Sequence, residues 1–277
     1  MVMAPKQKIM KMSTFLKKSQ GMAWSLFLLL TCSLSILCRA QDPSAVQLDK
    51  MPVDLETAFA LSSLPPDLRA GATVYLNDPS KGLYVARQGT NGFVCFISRS
   101  EWEWGKFRND FYAPMGFDPE GARIIFPMYK AVADMRASGK FTYEQIRDSI
   151  ISGIRKGVYK APPRSGLCYM LAPIMRVYGG TPDSYKMVTV SMPHYMFYAP
   201  YAAASDMGLD PNSPGGPWVV NPGSSILGEH KGPYGLIIVP ARQEDADKIR
   251  ESNKDLLKRL ADYSPYLKVD AMAAMHH

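Results

Sequence analysis

Two histidines and a carboxylate are the residues of this chain best suited to proton transfer. His194 sits in the aromatic run Tyr195-Met196-Phe197-Tyr198, and His230 follows Glu229 just ahead of the apolar run from Tyr234 to Val239. Histidine titrates near neutral pH, passes protons and binds metals through a neutral ring nitrogen. If the strands carrying them are neighbours, both imidazoles face one pocket, with Glu229 orienting one of them. That arrangement would make a hydrolytic site or a two-histidine metal site. The competing reading places His194 inside an aromatic core, bonded to a backbone carbonyl, and His230 in a loop.

A second group is the Asn91-Gly92 turn with Arg87 and Arg164, whose amides and guanidinium groups could hold an anionic or sugar-like ligand. The alternative is that Asn91-Gly92 only closes a hairpin while the arginines cover surface. A third is aromatic: Trp102, Trp104, Phe107, Phe111 and Tyr112 crowd one segment, and Tyr195, Phe197, Tyr198 and Tyr201 another. Exposed rings stack on sugars or form protein interfaces; enclosed ones fill a core. Cys95 and Cys168 lie in apolar, strand-like runs, where they could pair in an oxidising compartment or remain buried thiols.

Several catalytic signatures are missing. The sequence has no G-x-S-x-G, no G-x-x-x-x-G-K-[ST], no H-E-x-x-H, no C-x-x-C and no G-x-G-x-x-G. Neither a cofactor nor a resident metal is therefore implied.

The elements that would position these residues follow from hydrophobic spacing and turn chemistry. Asp54 caps a short helix over Leu55–Leu64, which the Pro65-Pro66 pair ends. Strand-like runs cover Ala72–Leu76, Leu83–Gln88 and Phe93–Ser98, separated by Asn77-Asp78-Pro79-Ser80 and Gly89-Thr90-Asn91-Gly92. These predict a three-stranded antiparallel meander. Trp102–Tyr112 has no assignable pattern. Asp118-Pro119-Glu120 opens a helix with the stripe Ile124, Ile125, Met128, Val132, Met135, ended by Gly139. Thr142 caps a second helix over Tyr143–Lys156. Leu167–Leu171 and Val188–Tyr198 read as strands, the latter interrupted at Pro193, and Asp210–Gly223 as a loop. Tyr234–Val239 reads as a strand buried on both faces, and Glu244–Tyr263 as a closing amphipathic helix. The expected class is α+β, a largely antiparallel sheet packed by about three to four helices.

The first 40 residues differ from the rest. Lys6, Lys8, Lys11, Lys17 and Lys18 precede an uncharged 16-residue run, Met22–Leu37, and Cys38-Arg39-Ala40 follows. A basic start, an apolar core and small side chains at −3 and −1 describe a secretory signal cut between Ala40 and Gln41. The run is short for a membrane span, which takes roughly 20 residues, so no permanent span is expected after cleavage. A leader of 40 residues is long, and initiation at Met12 instead of Met1 would leave a more ordinary 29. The whole chain has 32 basic and 25 acidic residues, +7 in all; the leader takes six basic and no acidic ones, leaving 26 against 25, or +1. Nucleic-acid binding rests on a concentrated positive field, which leaves with the leader. The expected organisation is a signal at 1–40, a tether at 41–53, one globular domain at 54–264 and a tail at 265–277.

Three stretches carry a resemblance: Gln88-Gly89-Thr90-Asn91-Gly92-Phe93-Val94-Cys95, Gly166-Leu167-Cys168-Tyr169-Met170-Leu171 and Met192-Pro193-His194-Tyr195-Met196-Phe197-Tyr198-Ala199-Pro200. Between about Leu55 and Leu260 the chain resembles an uncharacterised family of exported bacterial proteins. The resemblance implies export to the periplasm or beyond and a single domain, and brings no activity. Three functional classes follow: an extracytoplasmic binding or interaction domain, a small-molecule hydrolase using His194 and His230, or a structural envelope-associated protein. The expected partner is a small molecule or an envelope protein.

Overall fold

Alternating apolar residues drive eight strands into one sheet with a core on each side. The computed structural model describes residues 48–103, 107–179, 186–210, 213, 215–221 and 232–268. In chain order these form α1 (Val53–Ser62), α2 (Pro66–Arg69), β1 (Thr73–Asp78), β2 (Gly82–Arg87), β3 (Val94–Ser98) and β4 (Ala113–Phe117). Next come α3 (Pro119–Ile124), α4 (Phe126–Ala137), α5 (Tyr143–Arg155), β5 (Leu167–Met170), β6 (Met175–Gly179) and β7 (Lys186–Val190). The chain then forms β8 (His194–Tyr198), β9 (Trp218–Val220), β10 (Leu236–Pro240), α6 (Gln243–Ser252) and α7 (Lys254–Tyr263). The large sheet has the order β2-β1-β3-β4-β5-β8-β10-β9, and β6 and β7 form a separate hairpin. Every pairing is antiparallel except β1 with β3. The fold is α+β with a mostly antiparallel sheet, and seven α-helices lie among the described residues.

Successive side chains of a strand point to opposite faces. In β3, Cys95 and Ile97 enter a core with Leu55 and Phe59 of α1 and Leu256 and Leu260 of α7. Phe96 enters the other, with Met128 and Val132 of α4 and Ile146 and Ile150 of α5. Gly116 of β4 is required by this packing, since a Cβ there would lie 2.4 Å from Leu64 Cδ2.

The N-terminal strands differ from the expected meander in order. β3 lies beside β1, parallel to it, with Thr73 opposite Val94 and Val74 opposite Cys95. Asn91-Gly92 therefore closes no hairpin. It lies on a connection that crosses the end of β1, held by Thr90 N and Asn91 N donating to Gly71 O. The helix expected from Asp118 to Gly139 is two: Pro127 lacks an N–H and crowds the preceding turn, so α3 ends and α4 begins around Ile125. The expected closing helix divides at Asn253, whose side chain bonds Ile249 O at 2.8 Å. The capping box of α5 stands as the sequence implies, with Thr142 and Gln145 bonding reciprocally. β4 and β6 carried no readable signal, and the stretch Asp210–Gly223, read as a loop, contains the short strand β9, which pairs with β10 through Trp218, Val219 and Val220. Among the described residues no helix is long and apolar enough to cross a membrane.

Candidate functional site

The residues singled out by the sequence meet three fates. Some are fasteners. Arg87 reaches the carbonyl of Ala72 at 3.0 Å and also that of Arg69. Asn91 donates to Leu68 O at 2.9 Å and accepts from Phe93 N at 3.0 Å. Arg164 pairs with Glu120 at 3.2 Å with its side chain in solvent. Tyr198 donates its hydroxyl towards Asp118 Oδ1 at 2.9 Å and Leu167 O at 3.0 Å, while the same carboxylate accepts from Gly121 N and Leu167 N. This closed set ties β5 and β8 to the start of α3 and leaves no ligand position among its members.

Others are core. His194 is 2 % exposed, and its Nδ1 lies 2.7 Å from Met192 O. Burial pushes its pKa down, so the ring is neutral and shut away from solvent. It is thus a structural histidine, which removes it from an open hydrolytic pocket. Trp102 is 3 % exposed and packs in a core, so it offers no binding surface. Cys95 and Cys168 are free and buried on opposite faces of the sheet, with β4 between their strands. Two strand spacings amount to about 10 Å, beyond the roughly 7 Å that a disulfide spans, so of the two readings left open for these cysteines the buried thiols hold and the bridge does not. Burial pushes the Cys95 thiol up to about 12, so no reactive thiolate forms there. Glu229, His230 and Trp104 lie outside the described residues. Among the described residues no cluster could hold a metal ion.

Tyr195 has a third fate. Across β5, β8, β10 and β9 the register aligns Leu167, Phe197, Ile237 and Val219 in one row, and Tyr169, Tyr195 and Val239 in the next. Directly opposed residues share a face, and this face is the reverse of the one carrying Met196 and Tyr198. Of the first row, and of Tyr195 and Val239, neither core takes in any residue. Phe197 is 45 % exposed. Tyr169 lies between Tyr195, met edge-on at 5.9 Å, and Phe93, tilted at 6.3 Å, extending the aromatic surface towards β3. Tyr234–Val239, expected to be buried on both faces, is half open here for the same reason. No known protein family, curated protein or solved structure matches the chain.

A second concave feature was missed because it grows from the unpatterned segment 99–112. Arg99, 3 % exposed, donates to Phe111 O at 2.9 Å and Asn109 O at 2.7 Å, with its guanidinium 3.9 Å from the Tyr112 ring centre. Arg136 of α4, equally buried, donates to Arg99 O at 2.6 Å and Arg108 O at 2.9 Å. These arginines bond the carbonyls of Arg99, Arg108, Asn109 and Phe111. The only advance signal was a dense mixture of charged and aromatic residues with no period.

Proposed function

We propose that this chain is an exported, non-catalytic binding domain that engages its partner through the open face of β5, β8, β10 and β9. The observation that carries this reading is the two aligned rows centred on Tyr195 and Phe197, whose side chains, Tyr169 apart, lie outside either core. Contiguous exposed apolar surface marks interaction sites more often than it marks nothing. Rings on a flat sheet suit the face of a sugar or the apolar surface of an envelope protein. Export is supported by the leader pattern at residues 1–40 and the near-neutral remainder; the resemblance to exported bacterial proteins points the same way. The closed surroundings of His194 favour binding over hydrolysis.

Thermal unfolding against a panel of envelope glycans and solubilised envelope proteins tests the reading, because a ligand that binds only the native state raises its midpoint. A specific rise that Phe197→Ser abolishes supports it. A panel without effect, or a rise that survives the substitution, overturns it. Mass analysis of the cell-free fraction tests export: a chain starting at Gln41 is expected, and an intact chain retained in the cytoplasm contradicts it.

A further inference from the structure

A cleft of about 340 Å³ is lined by the stretch 108–112, the turn after α7 and residues 49 and 50. That is the volume of roughly ten waters and lies within the usual range of small-molecule sites. Each part of its lining is tied to the fold. Met51 is buried in the core that holds Leu55, which anchors Asp49 and Lys50 just before it. The backbones of Tyr112 and Arg176 bond each other at 2.9 Å in both directions. Thr189 Oγ1 donates to Tyr266 O at 2.7 Å and so ties the turn after α7 to β7.

The charges of the lining cancel. Arg108 gives Nε and Nη2 to Asp110 at 2.6 and 2.9 Å, with Tyr178 as a further partner. Arg176 reaches the same carboxylate at 3.0 and 2.7 Å. Lys50 lies 3.7 Å from Asp78, and Asp49 supplies a second carboxylate to the cleft. Two cations of the lining, Lys50 and Arg108, thus stand against two anions, Asp49 and Asp110. Their partners Arg176 and Asp78 add one charge of each sign. No charge is left over to hold an ion. An apolar molecule fits no better, because every lining side chain except that of Pro265 carries a polar group, and covering such groups without hydrogen bonds is costly. Flat carbon surface is present as well. One face of the Tyr266 ring meets the Arg176 guanidinium at 4.8 Å, and at 50 % exposure the ring still offers the other.

We propose that this cleft binds a neutral saccharide, a pyranose whose hydroxyls meet the polar lining and whose C–H face rests on Tyr266. A sugar combines what the lining asks for: many donors and acceptors, no net charge, and one apolar face. The exposed Asp49 carboxylate is a charged acceptor for its hydroxyls, and such hydrogen bonds are the stronger kind. An amphipathic tyrosine ring suits the apolar face of the same molecule. The cleft shares no residue with the open sheet face, so the two assignments stand or fall separately.

Calorimetric titration of the purified protein with glucose, galactose and N-acetylglucosamine, beside glucuronate and glucosamine, decides the matter. The last two place a negative or a positive charge on the same kind of ring. At least one neutral sugar should bind, with little dependence on salt, and both charged rings should bind more weakly. Tyr266→Ala should weaken that binding by about two- to tenfold, with folding intact because the turn is tied through the Tyr266 carbonyl. Asp49→Asn leaves one positive charge uncancelled and should tighten glucuronate by about threefold or more. Phe197→Ser, on the open sheet face, should change nothing. The proposal is overturned if none of the three neutral sugars binds, or if a charged ring binds as tightly. Undiminished binding by Tyr266→Ala, no gain for glucuronate in Asp49→Asn, or loss of binding in Phe197→Ser overturns it equally.

Discussion

The two halves of the large sheet show how one alternating pattern yields two surfaces. In β3 all five residues are buried, because α1 and α7 cover one face and α4 and α5 the other. In β8 burial alternates: His194, Met196 and Tyr198 are enclosed, Tyr195 is half-buried and Phe197 exposed. Both strands are almost wholly apolar or aromatic in sequence. What separates them is whether a helix arrives on the second face, and helix arrival is decided elsewhere in the chain. The contrast predicts that mutational cost tracks the face rather than the residue type.

Removal of a large ring from the doubly covered half should have the largest effect. Phe96 is fully buried and packs against Phe117, Phe126 and Tyr129. Phe96→Ala should lower stability by about 3–5 kcal/mol in denaturant unfolding, the cost of lost burial plus a cavity. A loss under about 1 kcal/mol would mean the two-sided core collapses easily, and the contrast with β8 would fail.

The covering layer can be probed by pH as well. Burial pushes the Glu101 carboxyl up to about 7, against hydrogen bonds from the Glu103 and Trp102 backbones that lower it. Glu103, Tyr129 of α4 and Tyr143 of α5 are the titratable neighbours that feel its charge or share its surroundings. The unfolded chain releases this proton near 4.5 while the folded one holds it to about 7. The favourable contribution is therefore complete below the unfolded value and is lost as pH rises through the folded one. The loss amounts to about 3 kcal/mol. Glu101→Gln keeps the oxygen that accepts from Glu103 N and should flatten the decline between pH 4 and 8. An unchanged pH profile would show that solvent reaches the carboxyl and that this part of the cover is open.

Local features of the fold were legible where the signal was local. Thr142 and Gln145 announce the start of α5, and Asp118-Pro119 announces α3, because caps need only neighbouring residues. The break at Pro127 was legible in principle and passed over, since the apolar stripe runs straight through it. Strand order was not legible: β3 pairs parallel with β1 across a long connection, and nothing in Asn91-Gly92 distinguishes a crossing link from a tight turn. The arginine-framed cleft was hidden for a related reason. Arg99, Arg136 and Arg176 come from three separate stretches, and their shared work on the backbone of 108–112 shows only in three dimensions. Of the described residues marked for chemistry, Tyr195 and Phe197 lie on the open sheet face. Asn91, Arg87 and Tyr198 stand out in the sequence because they fasten strands to loops.

The finest form of the comparison lies between two adjacent residues, Phe197 and Tyr198. Tyr198 points into the covered face, where its hydroxyl meets the Asp118 carboxylate and a would-be Cβ at Gly121 would lie 1.9 Å from it. Tyr198→Phe keeps the ring and removes a hydrogen bond to a charged acceptor, so about 1.5–3 kcal/mol should be lost. Phe197 points the other way, 45 % exposed. Phe197→Ser removes a whole ring, a far larger chemical change, yet should cost only about 1 kcal/mol, the loss of its cross-strand contacts with Leu167 and Ile237 on a face no helix covers. The smaller edit should therefore cost more, an ordering that hydrophobicity by itself would reverse. Urea unfolding of the two variants side by side reads it directly. If Phe197→Ser proves the costlier, its face is covered in the native protein, and the alternation along β8 reflects two buried sides instead of one.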